Sequence, residues 1–311
     1  MSDKTLIEWS DATWNIITGC TIKSPGCRGC YAMKLAGTRL RNHPSRIGLT
    51  EPSDAGPVWN GKVRFNEQWL DQPQRWKKPR DIFVCAHGDL FHESVPDDWI
   101  DQVFAVMGEC PWHTFQVLTK RAARMREYMT APDLQRRIDR TVERLSNAGK
   151  IRYLEDPHGK WPLPNVIMMV SAERQEEADE RIDDLIATPA AKHGLSLEPL
   201  ISSINLNRWL LAEHGRRAIG AAPGIDWVIA GGESGDRARP SHPDWFRAIR
   251  DQCAAAGVPF HFKQWGEWAS VSAVGGGREH HYFKDGATVR RVGKKLAGRL
   301  LDGVEHNGTP A

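Results

Sequence analysis

Short apolar runs rich in β-branched residues alternate along this chain with longer amphipathic stretches, the pattern of a parallel sheet joined by crossover helices. It predicts strands at residues 14–18, 62–65, 81–86, 114–118, 166–170, 193–197, 227–230 and 260–263. Helices fill several of the gaps. Residues 97–107 follow Pro96 and set Trp99, Ile100, Val103, Phe104 and Met107 on one stripe, and residues 134–145 repeat the spacing with Leu134, Ile138, Val142 and Leu145. Residues 173–186 begin acidic, as the helix dipole prefers, and residues 244–256 stop at Gly257 before Pro259. Eight strands in an α/β chain point to a (β/α) barrel, TIM-like or partial, over residues 1–269. Residues 270–311 form an extension, with Asp285-Gly286 turning a hairpin at 282–292. Residues 42–60 and 270–277 are loops rich in Gly, Ser or Pro.

Composition narrows the setting. No apolar run is long enough to span a bilayer, and the N-terminus lacks a signal-peptide core, so a cytoplasmic protein with reduced thiols and no membrane partner is expected. The formal charge of +3 in 311 residues does not by itself announce a nucleic-acid binder. Six cysteines in a reducing compartment read as ligands, catalytic groups or core residues.

Three of them, Cys20, Cys27 and Cys30, form a C-x6-C-x2-C array between the first strand and a helical stretch starting near Tyr31. In a barrel that loop opens on the face that carries active sites. Pro25, Gly26 and Gly29 supply tight turns, and loop amides near a helix start favour thiolate. Soft sulfur donors select an iron–sulfur cluster, zinc or cuprous copper, and a closed zinc site would need a fourth ligand from His43, His87 or His92. Cys85 and Cys253 fall in a strand and a helix and read as core residues.

Polar groups recur where strands end: Asp89 and His92, Lys120, Ser171 and Glu173, Glu198, Glu233, and Lys263. A barrel would gather them on one face, making Asp89, His92, Lys120, Glu198 and Lys263 catalytic candidates. Gly231-Gly232-Glu233-Ser234, with Ser171, reads as a cofactor-binding element, since paired glycines admit a ligand and the carboxylate accepts from an ammonium. Arg121, Arg124 and Arg126 read as solvated surface, and the tryptophans mainly as core.

The run Ile7-Glu8-Trp9-Ser10-Asp11-Ala12-Thr13-Trp14-Asn15, the cysteines with Cys30-Tyr31-Ala32, and the segments Asp89-Leu90-Phe91-His92-Glu93, Phe115-Gln116-Val117-Leu118-Thr119-Lys120-Arg121, Glu198-Pro199-Leu200, Trp227-Val228-Ile229-Ala230-Gly231-Gly232-Glu233-Ser234 and Phe262-Lys263-Gln264-Trp265-Gly266 together resemble a family of mostly phage-encoded three-cysteine-motif proteins. That family has no assigned substrate and is similar to radical S-adenosylmethionine (SAM) enzymes. The resemblance implies a [4Fe–4S] cluster on the three cysteines, SAM chelated at the open iron, and a reducing electron donor. It also implies hydrogen abstraction from a substrate, with a nucleic-acid base or nucleotide suggested by the phage setting. Radical-SAM enzymes use C-x3-C-x2-C with an aromatic residue before the last cysteine; here the first gap is six, Gly29 holds that place and Tyr31 follows. Two other readings belong to different classes: a zinc-stabilised nucleic-acid-binding protein with a Cys3His site, and a metal-independent barrel hydrolase using Asp89, Glu198 and Glu233.

Overall fold

The computed structural model of the chain describes residue 5 and residues 7–154, 161–210, 224–277 and 279–310. Seven strands form one sheet: β1 (Ala12–Trp14), β2 (Asp81–Val84), β3 (Thr114–Thr119), β4 (Val166–Ser171), β5 (Lys192–Leu197), β6 (Trp227–Gly231) and β7 (Phe260–Gln264), hydrogen-bonded in that order. Trp14 lies opposite Val84, Ile82 opposite Phe115, Leu195 opposite Val228 and Val228 opposite Phe260, all parallel. A monotonic order of parallel strands with right-handed connections is the winding of a barrel rather than of a doubly wound sheet. The sheet is open, however, with β1 and β7 as its end strands.

Of the two alternatives, TIM-like or partial, the open seven-stranded sheet is consistent with the partial barrel and not with a closed one, and the count of eight strands is corrected to seven. The expected second strand supplies only Arg64–Phe65, which pairs antiparallel with Ile17–Thr18 outside the sheet. The expected strand at 14–18 splits for the same reason: Ala12–Trp14 joins the sheet and Ile17–Thr18 takes Arg64–Phe65 as partner. Segments as short as residues 62–65 carry too little pattern to tell a central strand from a two-residue ladder.

The chain divides into two compact units. The first comprises Met1–Lys23, Cys30–Met169 and Ala187–Lys192. Its helices are α1 (Tyr31–Gly37), α2 (Asp97–Gly108), α3 (Ala122–Met129) and α4 (Leu134–Asn147). Helix α2 buries Ile100, Val103, Phe104 and Met107 as their spacing predicts, while Trp99 at its edge stays half-exposed. The Tyr128 hydroxyl donates to Asp101 Oδ1 at 2.6 Å, and Trp14, fully buried, donates its indole N–H to Trp69 O at 2.8 Å. Each such large apolar side chain contributes about 1.5–3 kcal/mol on burial.

The second unit comprises Ser24–Gly29, Val170–Ile186 and His193–Ala311, with helices α5 (Gln175–Ile186) and α6 (Pro243–Ala256). Its core stacks Phe246, Phe262 and Trp265 edge to face at 5.1–5.2 Å. Gly257 ends α6 in the left-handed conformation, φ 66°, as its position in sequence predicts. The hairpin turning at Asp285-Gly286 is present as β9 (His280–Tyr282) and β10 (Thr288–Arg291), and β8 (Trp268–Ser270) adds to it as a third strand.

Candidate functional site

In the first unit, the chain leaving β1 reaches Cys20 through Gly19, which bridges to Gly88 beyond β2. A Cβ at Gly19 would lie 2.1 Å from Lys62 O, and its φ is +96°, so only glycine fits. Asp89, just past β2, accepts from Phe91 N at 3.0 Å, Thr119 Oγ1 at 2.7 Å and Lys120 N at 3.2 Å. Its strongest partner is Arg121, just past β3, whose Nη1 donates at 3.0 Å. The same guanidinium reaches Glu93 Oε2 at 2.8 Å, Thr21 Oγ1 at 2.5 Å and Cys20 Sγ at 3.6 Å. Burial works against its charge, but Asp89, then Cys20 and Glu93, outweigh it and raise its pKa. Arg121 is 5% exposed, so its reading as solvated surface is overturned. The sequence offered no signal for this, because Arg121 precedes an ordinary amphipathic helix.

His92 is also buried here, with Nε2 3.2 Å from Thr21 Oγ1. Its pKa is pushed down by burial first and by Arg121 second. Lys120 adds its backbone N–H to the Asp89 cage. Cys20 and Cys30 both pack against Ala32, Met33, Ala36, Leu49 and Trp59.

Cys27 belongs to the second unit, at the end of a 3-10 turn formed by Pro25–Cys27. Two carboxylates hold the backbone of this loop. Glu173, fully buried, accepts from Gly26 N at 2.6 Å and faces Arg181 at 3.4 Å. Glu233 accepts from Arg239 Nη2 and Nε, each at 2.7 Å, and from Arg239 N at 2.8 Å, while Arg239 Nη2 donates on to Pro25 O at 3.1 Å. A Cβ at Gly26 would meet Glu173 at 2.9 Å, and one at Gly29 would meet Glu233 Oε1 at 2.5 Å. The two loop glycines thus let carboxylates lie against the main chain.

The Gly231-Gly232-Glu233-Ser234 element is similarly occupied by the protein itself. A Cβ at Gly232 would fall 1.9 Å from Trp265 O, and one at Gly231 would fall 2.8 Å from Glu198 Oε1. Ser234 Oγ accepts from Gln264 Nε2 at 3.0 Å. Glu198, in turn, pairs with Lys263 at 2.9 Å and accepts from Ser196 Oγ at 3.2 Å. Ser171 Oγ donates to Glu198 O at 3.4 Å. The Lys263–Glu198 pair is partly open, at 20% and 14% exposure.

The histidines weighed as zinc ligands share one feature. His43 Nδ1 accepts from Ser45 N, His92 Nδ1 from Ser94 N and His87 Nδ1 from Arg46 Nε. Each neutral ring therefore carries its proton on Nε2 and has no free lone pair, whereas a metal-ligating ring donates from its second nitrogen. One group of ligand-type side chains within 4.8 Å of one another exists among the described residues: His242, Asp244 and Asp285, none of them singled out by sequence. There His242 Nδ1 accepts from Asp244 N at 3.0 Å as the cap of α6, and Nε2 faces Asp285 at 2.9 Å.

None of the six cysteines is in a disulfide, and they fall into two sets. Cys20, Cys27 and Cys30 are half-buried, while Cys85, Cys110 and Cys253 are buried. Burial pushes Cys85 and Cys253 up to about 12 and Cys110 further, so these three are protonated core residues.

An open α/β sheet of barrel winding with a three-thiol loop defines the class of protein. Residues 4–310 match the family described as protein of unknown function (DUF5131), and the chain belongs to it. No curated protein and no solved structure matches. Among the described residues no helix is long and apolar enough to cross a membrane.

Proposed function

We propose that Cys20, Cys27 and Cys30 hold a [4Fe–4S] cluster and that the protein is a radical-SAM-like enzyme. The observation that carries this reading is the division of the thiols, with the three half-buried ones falling within eleven consecutive residues. The donor set fits the group: three sulfur ligands leave one iron open, and the histidine tautomers weigh against a closed Cys3His zinc site. When bound, such a cluster supplies an electron to SAM, whose cleavage gives a 5′-deoxyadenosyl radical that takes hydrogen from a substrate.

The chain's own residues have clear parts in this scheme. Arg121 places a positive charge on Cys20 and favours its thiolate, and Asp89 and Glu93 fix the guanidinium. Glu173 and the Glu233–Arg239 pair fix the backbone around Cys27, which makes them positioning residues. Lys263 and Glu198 are the partly open pair able to meet a carboxylate and an ammonium such as SAM carries. The hydrolase reading is less well supported, because Asp89 and Glu233 each already neutralise an arginine.

The test is iron and acid-labile sulfide content after anaerobic purification and reconstitution, comparing the wild type with a Cys20/Cys27/Cys30→Ala variant. About four irons and four sulfides per chain, lost in the variant, are expected, with reductant-dependent release of 5′-deoxyadenosine from SAM. Zinc without sulfide, or iron retained by the variant, overturns the reading.

A further inference from the structure

Charge is unevenly distributed along this chain. Residues 23–64 carry eight Lys or Arg against two carboxylates, Glu51 and Asp54, although the whole chain has 42 against 39. The remainder is therefore net acidic, although residues 120–152 are basic too, with ten Lys or Arg against four carboxylates.

The pairing of these cations is equally uneven. Several arginines elsewhere engage carboxylates, as Arg121, Arg137, Arg181, Arg239 and Arg247 do. Among the described residues, no carboxylate lies within ion-pair distance of Arg39, Arg41, Arg46, Lys62 or Arg64, all in the first unit. Arg64 donates to Pro44 O at 2.7 Å and Ile47 O at 2.8 Å, which fixes its guanidinium without neutralising it. Arg46 is only 5% exposed and bonds neutral groups alone: His87 Nδ1 at 3.3 Å, and Ser45 Oγ and O at 2.7 and 3.2 Å. Burial pushes Arg46 down to about 10, with Tyr31 opposing and Arg64 adding to the shift. A buried guanidinium with no anion is an unusual arrangement, since buried charges are normally paired.

Two of these groups, Lys62 and Arg64, line a groove of about 570 Å³ together with Ile47, Leu49, Ser94 and Trp99. Trp99 is half-exposed, and its ring packs 5.3 Å from Phe65, which holds the indole in place. Gly48 at the rim has open space within 4 Å of where a Cβ would stand. Arg39 and Arg41 are exposed on the turn that leads to Ile47. A groove lined by two unneutralised cations, Lys62 and Arg64, and an aromatic face, with Arg39 and Arg41 on the turn leading to its wall, matches a phosphate backbone carrying stackable bases. One phosphate would need fewer cations, and an apolar lipid tail would need a less charged floor.

We propose that this groove binds single-stranded nucleic acid, with phosphates on Arg39, Arg41, Lys62 and Arg64 and a base stacked on Trp99. The proposal deepens the cluster reading by naming its substrate class, but it concerns a surface whose occupancy is measured as binding alone. Absence of iron would leave it standing, and absence of binding would leave the cluster reading standing.

The experiment is fluorescence anisotropy with the full chain and labelled 20-nucleotide single strands of DNA and RNA, their duplexes, and anionic phosphatidylserine vesicles as competitor, at two salt concentrations. Among the described residues the exposed side chains of Arg39, Arg41 and Lys62 have no hydrogen bond or ion pair, so an Arg39/Arg41/Lys62→Ala variant is expected to keep the wild-type circular dichroism spectrum. It is expected to bind single strands at least tenfold more weakly, with a salt slope shallower by about 2, near 0.7 per lost phosphate contact. Trp99→Leu is expected to weaken binding several-fold while leaving the salt slope unchanged, and Lys77/Lys78→Ala to bind as the wild type does. Failure to bind single strands overturns the proposal. So does equal binding by the triple variant, a clear preference for duplex, or complete displacement by vesicles.

Discussion

Arg121 Nη1 lies 3.6 Å from Cys20 Sγ although 101 residues separate the two in the chain. The contact exists because β1 and β3 flank β2 in the sheet, which sets the loops beyond them side by side. A guanidinium at that distance favours thiolate, so Arg121→Gln should slow alkylation of Cys20 by iodoacetamide in cluster-free protein. The pH of half-maximal reaction should move upward, and Arg121→Lys should restore part of the shift. The replacement also strands Asp89, 7% exposed at its side chain, at a cost of about 3–5 kcal/mol in urea unfolding. An unchanged alkylation profile in a folded variant would show that the guanidinium does not act on this thiol.

Glu173 connects the fold to the cysteine loop through one oxygen on Gly26 N and the other on Arg181, with both charged side chains out of solvent. Glu173→Ala should therefore cost about 3–5 kcal/mol, because Arg181 at 1% exposure is left without its carboxylate. Glu173→Gln keeps an oxygen for Gly26 and should leave the exchange of that amide slower than in the alanine variant. Hydrogen exchange followed by mass spectrometry over residues 24–29 reads this directly.

Part of this arrangement was legible in the sequence and part was not. Strands such as Val166–Ser171 and Trp227–Gly231 announce themselves because both faces are covered and every residue is buried. Asp89, Glu198 and Glu233 stand out because they follow strands, and Lys263 because it lies near the end of one. Their partners do not: Arg239 lies among loop residues, and Arg121 reads like any basic residue at a helix start. An ion pair between residues 32 positions apart, as in Asp89 and Arg121, leaves no periodic trace. The eight-strand count failed at residues 62–65, where two residues pair locally with Ile17–Thr18.

The two sets of cysteines should separate chemically. In folded, cluster-free protein iodoacetamide should modify Cys20, Cys27 and Cys30 and leave Cys85, Cys110 and Cys253 until the chain is unfolded in urea. The cause is access together with burial, which pushes Cys85 and Cys253 up to about 12. Cys253→Ala should keep full iron content and cost on the order of 1 kcal/mol, the value of one small buried group. Loss of iron in that variant would place a ligand outside the loop.

His87 gives the chain a pH dependence of definite sign. Burial first, and Arg46 second, push its pKa from the ordinary 6.5 down to about 4. Its surroundings explain this: Arg46 Nε donates to Nδ1, the Tyr31 ring sits edge-on at 5.6 Å, and among the described residues no carboxylate pairs with the ring. A proton therefore binds the unfolded chain more readily than the folded one. The contribution of neutral His87 is fully present above about pH 6.5 and is lost as pH falls from there toward 4. His87→Asn keeps an acceptor for Arg46 but cannot titrate. The stability of wild type minus variant, from urea unfolding at pH 7.5, 6 and 5, should fall by roughly 2 kcal/mol across that range, since one pKa unit corresponds to about 1.4 kcal/mol. Other buried histidines are common to both proteins and cancel in the difference. A difference that stays flat with pH would mean that His87 titrates alike in both states and that Arg46 does not act on its ring.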